Sequence, residues 1–293
     1  MKNILLIKYF ILSLLSNFIF CQNNSNDLCL IATDDSRVVI AGGSITEIFY
    51  LLEIQDQIVA VDITSNFPEG AKIFPSIGYV RMLSAEGLLS MNPSIILGEN
   101  DMGPQNVIEQ VNQTGVELQI IPEEKSLEGI IDKIRCVAGI MDVSFYAEEL
   151  INEKYRDVVL QIEENKRIVS EKKISAMVIY SMQGTSPIVS GSGESGDAFL
   201  KLTGARNAFA SFEGWKPASS ESIIANNPDY IIVTNRLLKR FSNLEELRNH
   251  PSLSQTKAAK NNQIIAKDGM ALMGFGPRTI SCALEVSKIF SSK

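Results

Sequence analysis

The chain has 293 residues, enough to bury a full core in two domains of ordinary size. Hydrophobic residues make up 45% and charged residues 21%, which excludes a disordered or fibrous chain. Lys and Arg number 27 against 34 Asp and Glu, a net charge of −7, so the clustered basic side chains that nucleic-acid phosphates demand are not expected.

Residues 1–21 stand apart. Lys2 and Lys8 flank or interrupt an apolar stretch over 4–20 that has no acidic residue and runs into a polar segment at 22–26. This predicts an export signal. A retained membrane anchor is the alternative, weakened by the interruptions at Lys8, Ser13, Ser16 and Asn17. Cys21 is either the last signal residue or a lipidated N-terminus; the large Phe20 before it favours simple cleavage. Cys29, Cys136 and Cys282 are far apart, odd in number and without CxxC spacing, so buried free thiols are expected.

After a polar leader over 22–36, residues 37–40 read as a first strand, followed by the turn Ala41-Gly42-Gly43-Ser44 and a helix over 45–52. That turn lacks G-x-G-x-x-G and Walker spacing, so a tight βα turn lining a cleft is preferred over a phosphate cradle. Strands recur at 58–61, 94–97 and 117–121 with helices between them, a parallel α/β lobe over 37–142. Residues 143–172 carry no Gly or Pro, and Leu150, Ile151, Val158, Val159 and Ile162 recur at helical spacing. One long amphipathic linking helix is expected there. The strand pattern restarts at 175–180 and continues through 230–233 and 263–266 to a helix over 277–290, making a second lobe over 173–293. The predicted fold class is α/β: two Rossmann-like lobes, each a mostly parallel sheet with flanking helices, joined by a backbone helix.

The two lobes share a repeat. Ser84-Ala-Glu86-Gly-Leu-Leu-Ser-Met-Asn92-Pro93 recurs as Ser219-Ser-Glu221-Ser-Ile-Ile-Ala-Asn-Asn227-Pro228, each followed by an apolar run. Ser84 and Ser219 are N-cap types, Glu86 and Glu221 fall in a first helical turn, and proline ends each helix before a buried strand. Duplicated lobes put the working cleft between them, and place one glutamate at the same point on each lobe, which suits a two-fold partner.

Just ahead of the first copy lies Gly78-Tyr79-Val80-Arg81. In an extended segment Tyr79 and Arg81 share a face, and a guanidinium beside a phenol lowers the cost of phenolate, a hard ligand for ferric iron and a known axial ligand of haem. Gly78 leaves room for a flat ligand near the backbone. Most Tyr-x-Arg triplets are surface pairs, so the motif alone is a weak signal.

The runs Arg37-Val-Val-Ile-Ala-Gly-Gly-Ser44 and Ile77-Gly78-Tyr79-Val80-Arg81-Met-Leu-Ser84-Ala-Glu86, with Thr203-Gly-Ala-Arg206-Asn207 and Gly274-Phe-Gly-Pro-Arg278, resemble the periplasmic haem-binding proteins of bacterial haem ABC importers. The resemblance covers nearly the whole chain after residue 21. It implies a monomeric periplasmic carrier with haem as transported ligand, Tyr79 as its axial ligand and Arg81 as the partner of Tyr79. It also implies docking of Glu86 and Glu221 on arginines of the permease dimer. Some members of that family supply a histidine from the second lobe, where this chain has Met182. Five-coordinate iron on Tyr79 is therefore expected, with Met182 packing on the porphyrin. Arg236, after the strand at 230–233, either pairs with a propionate or is a solvated surface arginine. His250, the chain's single histidine, reads as a surface His-Pro turn, and Trp215 as either a packing anchor or a pocket wall.

Two other readings stand beside this one. A ferric-siderophore or cobalamin carrier would share the fold, whereas a zinc or manganese carrier would need several histidines. An α/β enzyme ranks well below, because no Ser-His-Asp set forms around His250 and the glycines near Ser195 lack elbow spacing.

Overall fold

The computed structural model describes residues 29–292; the export segment and Cys21 lie outside the described residues. The first sheet contains β1 (Val38–Ala41), β2 (Ile58–Val61), β3 (Ile95–Gly98) and β4 (Glu117–Ile120), in the order β2-β1-β3-β4 and parallel throughout. The central strands β1 and β3 are buried along their whole length, as their unbroken apolar runs require when helices cover both faces. Those helices are α1 (Gly43–Leu51), α2 (Ala85–Leu89), α3 (Gln105–Asn112) and α4 (Leu127–Ile140).

Two helices follow, α5 (Ser144–Lys154) and α6 (Arg156–Glu171). The expected single linking helix is thus broken at Tyr155, whose φ of −112° departs from the usual helical value of about −63° and whose ring is buried in the core. The reason is packing: α5 lies on α4, and α6 lies on the last helix of the chain, so one straight rod would not serve both.

The second sheet holds β5 (Ser175–Gln183), β6 (Ser186–Ser190), β7 (Arg206–Asn207), β8 (Trp215–Pro217), β9 (Tyr230–Thr234) and β10 (Ile264–Lys267). Its order is β10-β9-β5-β6-β8, with β7 pairing β5; β10, β9, β5 and β7 run parallel, whereas β6 is antiparallel to both its neighbours, β5 and β8. The accompanying helices are α7 (Ser195–Thr203), α8 (Ser220–Asn226), α9 (Asn235–Leu238), α10 (Leu244–Arg248), α11 (Lys257–Lys260), α12 (Gly269–Met273) and α13 (Pro277–Ser291).

The repeat is real at the level of individual atoms. Ser84 Oγ accepts from the Gly87 amide at 3.0 Å, and Ser219 Oγ accepts from the Ser222 amide at 3.2 Å. Asn92 and Asn227 both take left-handed backbone, with φ of 47° and 42°, before their prolines.

One apolar cluster runs through both lobes, from β1, α1 and α4 through Tyr155 and α6 to β5, β9, α7 and α13. Helix α13 packs against α1 and α4 as well as α6, α7 and α12, so the chain's end belongs to both lobes rather than to the second alone. At its start, Arg278 Nη2 lies 2.7 Å from Glu47 Oε1 on α1, and Nη1 lies 3.0 Å from Asp268 Oδ1. Its guanidinium also sits 3.9 Å from the centre of the Phe67 ring. Burial pushes the Glu47 carboxyl above its usual range, and Arg278 opposes that shift.

Cysteine pairing corrects the sequence expectation. Cys29 and Cys136 form a disulfide that ties the leader to α4, aided by the Ala32 amide donating to Ile140. Closing a loop with a sequence separation of 107 residues stabilises the fold by about 4–5 kcal/mol in the chain-entropy model. Among the described residues Cys282 is the free thiol; it is buried, which pushes its pKa up to about 12, and is therefore inert.

Truncating Arg278 to alanine strands a buried carboxylate, so urea unfolding should show a loss of about 3 kcal/mol. Adding Glu47→Gln to Arg278→Ala should recover most of it; no recovery would show that the loss is one of packing.

Candidate functional site

The carboxyl ends of the two sheets face each other. The turn after β1 carries Gly43, and the Met270 methyl of α12, just after β10, reaches to 2.8 Å from where a side chain on Gly43 would begin. In open parallel sheets this edge is where ligands bind, because the strand-to-helix loops and helix N-termini collect there.

Tyr79 sits on that edge. The segment before it runs beside the end of β2: the Ile77 amide donates to Val61 and the Ile63 amide donates to Gly78, both at 2.9 Å. On the other side the Gly103 amide, beyond β3, donates to Val80 at 3.0 Å. Ile77, Val80 and Leu83 are buried, so Tyr79, Arg81 and Met82 are turned outward. Gly78 has a φ of 95°, which favours glycine, and open space where a side chain would stand. Tyr79 is 38% exposed. The segment is not extended, however. The Met82 amide donates to Tyr79 at 2.7 Å, closing a turn, and Arg81 Nε donates to Asp101 Oδ2 at 2.6 Å rather than to the phenol. The bond to Asp101 raises the Arg81 pKa most; the nearby Tyr79 and, from the second lobe, Glu194 add to it.

The glycine turn is a structural turn, not an anion cradle. The Gly42, Gly43 and Ser44 amides donate to Asp62, Thr64 and Glu99 respectively, so the chain's own oxygens occupy the start of α1. Beneath it lies a charged network that the sequence analysis missed. Ser44 Oγ donates to Glu99 at 2.6 Å, and the buried Lys133 Nζ lies 3.1 Å from Ser44 Oγ and 2.7 Å from Glu123.

In the second lobe Met182 is only 9% exposed and packs with Met177, Ile179 and Val189 in the core. It does not line the cleft. A register irregularity between Ile179 and Ser181 shifts the alternation, which puts Met182 on the inner face with Ile179. Tyr180 in the same strand is exposed, at 47%, and its ring lies 5.6 Å from that of Trp215. Arg236 is exposed at the carboxyl end of β9, without an ion pair or hydrogen bond among the described residues. His250 Nδ1 accepts from the Ser252 amide and its ring meets Phe241 edge-on, a structural role. No group of three or more His, Cys, Asp or Glu among the described residues is arranged to hold a metal ion.

The family model for periplasmic binding proteins matches residues 38–269. The chain belongs to the periplasmic binding protein family. Among solved structures, the periplasmic heme-binding protein RhuT from Roseiflexus sp. RS-1 is 31% identical, with a TM-score of 0.78 covering 88% of this chain and 99% of that one. HutB of Vibrio cholerae, a periplasmic heme-binding protein, is 31% identical with a TM-score of 0.76, covering 87% and 99%. Two curated relatives are more distant. The uncharacterized ABC transporter substrate-binding lipoprotein YvrC of Bacillus subtilis is 22% identical over 266 residues, 90% of this chain and 82% of its own. A vitamin B12-binding protein of Yersinia pestis is 24% identical over 209 residues, 71% of this chain and 72% of its own. A periplasmic binding protein is a carrier, not an enzyme.

The paired glutamates occupy matching places in the two lobes. Glu86 and Glu221 are exposed in the first turns of α2 and α8. The Leu83 amide, just before α2, donates to Gly103 beyond β3, and Ser220 is tied through Ser252 to Thr185 at the β5–β6 turn. Each helix therefore starts at the carboxyl edge of its own sheet, one on each side of the cleft.

Burial pushes the Glu99 carboxyl up to about 7, with Lys133 opposing. The folded protein then holds a proton there that the unfolded chain releases near the ordinary value of 4.5. Its contribution to stability is complete below that value and is lost as pH rises through about 7, an effect of no more than about 3 kcal/mol. Glu99→Gln should flatten the decline in denaturant midpoint between these pH values; an unchanged slope would assign the decline to other groups.

Proposed function

We propose that the protein captures haem in this cleft, with the Tyr79 phenolate on the iron, and delivers it to an ABC permease. One observation carries the reading: an exposed phenol with no hydrogen-bond partner among the described residues, on a turn pinned to β2 and to the segment after β3, at the edge where this fold takes ligands. Ferric iron is a hard acid and phenolate a hard oxygen base, and the glycine before Tyr79 leaves the approach open. Arg81 lies two residues on in the same turn, and Asp101 holds it in place. The solved structures of similar sequence named as heme-binding proteins support the same ligand. Arg236, without an ion pair among the described residues, is a cation suited to a propionate.

Glu86 and Glu221 are proposed as the permease contacts, since each is exposed on its own side of the cleft. A periplasmic location, after export, agrees with the disulfide between Cys29 and Cys136, which an oxidising compartment preserves. A cobalamin carrier is the second reading, favoured by the relatives named as vitamin B12-binding proteins.

Hemin added to the purified protein should give a high-spin, tyrosinate-ligated spectrum with a charge-transfer band. Tyr79→Ala should abolish that band, and cyanocobalamin should not compete. A band that persists without Tyr79 would remove the ligand assignment, and saturable cobalamin binding would favour the second reading. Met182→Ala, a core truncation, should cost about 2 kcal/mol of stability and spare the spectrum.

Glu86→Arg combined with Glu221→Arg should stop uptake in cells while hemin affinity stays within twofold of wild type. A loss of affinity would instead put these carboxylates in the pocket.

A further inference from the structure

The duplication reaches further back than its helices. Gly78-Tyr79 precedes Ser84-Ala-Glu86, and Gly214-Trp215 precedes Ser219-Ser-Glu221, one residue shorter. Both glycines have positive φ, 95° and 83°, and each hands the chain to an aromatic residue. Both turns are pinned to their sheets. Gly78 accepts from the Ile63 amide, whereas Gly214 accepts from the Gly191 amide at 2.9 Å and Trp215 continues as the first residue of β8, opposite Ser190.

The two turns belong to one cleft. The Glu194 carboxylate lies 4.0 Å from where a side chain on Gly214 would begin, and it is close enough to act on Arg81 of the Tyr79 turn. The half-buried indole of Trp215 is seated on Gly196: a Cβ there would stand 3.1 Å from Cη2. Behind it lies the main apolar core, and beside it the exposed Tyr180 ring at an interplanar angle of 52°. Met182, the residue the sequence offered for this side, is in the core instead.

We infer that Trp215, with Tyr180 beside it, is the second lobe's platform for the face of the macrocycle opposite Tyr79, so that this lobe holds the ligand by aromatic contact and contributes no iron ligand. The inference rests on the haem reading above. An indole offers a large, rigid π surface to a flat macrocycle and no lone pair for iron. Affinity is then divided between a metal bond from one lobe and ring contact from the other, and the second share does not require iron.

Metal-free protoporphyrin IX separates the two. Trp215→Ala should weaken both hemin and metal-free protoporphyrin IX at least tenfold, without altering the charge-transfer band of the hemin that still binds at saturation. Tyr79→Phe should abolish that band but leave protoporphyrin IX affinity within threefold. Tyr180→Ala, on an exposed side chain, should weaken both ligands threefold or more, and it serves as the second probe if Trp215→Ala fails to fold. Tyr180→Phe should leave the hemin spectrum unchanged. If wild type binds hemin with a Tyr79-dependent band while Trp215→Ala and Tyr180→Ala bind porphyrin within twofold of wild type, the platform is refuted and the haem reading stands. A spectrum altered by Tyr180→Phe would make Tyr180 a ligand and likewise overturn the inference. If wild type shows no hemin binding at all, the haem reading itself fails.

Discussion

The two sheets share one apolar core, and that continuity is the constraint on which the cleft depends. Val38 on β1, Ile134 on α4, Ile162 on α6, Ile232 on β9 and Phe290 on α13 all belong to it. Parting the lobes widely would return this surface to water at roughly 25 cal/mol per Å². It would also separate Glu47 from Arg278, leaving a charge in a site where its desolvation is already costly. Because this core is common to both lobes, ligand capture calls for local adjustment of the turns more than for hinging of the whole.

On this frame, rigidity and availability are separated residue by residue. In the Tyr79 turn the backbone is hydrogen-bonded on both flanks and Ile77, Val80 and Leu83 are buried, yet the phenol is free. The Trp215 turn has the same design, with Ala218 buried behind it and Gly196 beneath the indole. A carrier benefits from such sites, because a group already held in its binding orientation loses little entropy when the ligand arrives. The network of Ser44, Glu99, Lys133 and Glu123 lies under the glycine turn and satisfies the start of α1 from within. That is the physical reason why a glycine-rich turn at a helix N-terminus is not an anion site in this protein.

Much of the fold was legible in the sequence. The strands at 58–61 and 230–233 and the helix over 277–290 lie within a residue of their observed bounds, since buried parallel strands are continuous apolar runs and Pro277 marks a helix start. The repeated Ser-x-Glu and Asn-Pro elements were equally readable, because capping and left-handed Asn are local chemistry. What failed was non-local. The break at Tyr155 comes from two packing partners pulling one helical segment in different directions, and nothing in its own periodicity records them. The disulfide joins cysteines with a sequence separation of 107 residues that only the fold brings together. Arg81 was paired with Tyr79 by assuming an extended segment, whereas Asp101, 20 residues on, takes its guanidinium. Met182 was assigned to the cleft by the family resemblance, as the residue standing where some members supply a histidine, and one register irregularity turned it into the core and left Tyr180 outside.

The sequence by itself determined the two-lobed α/β architecture and the duplication, because each is written in the periods and caps of contiguous residues. Only the tertiary structure decided what faces Tyr79 and what holds the lobes together. Those contacts join residues such as Glu47 and Arg278, 231 positions apart, and depend on how the two sheet edges meet. No local rule of propensity or spacing contains that information.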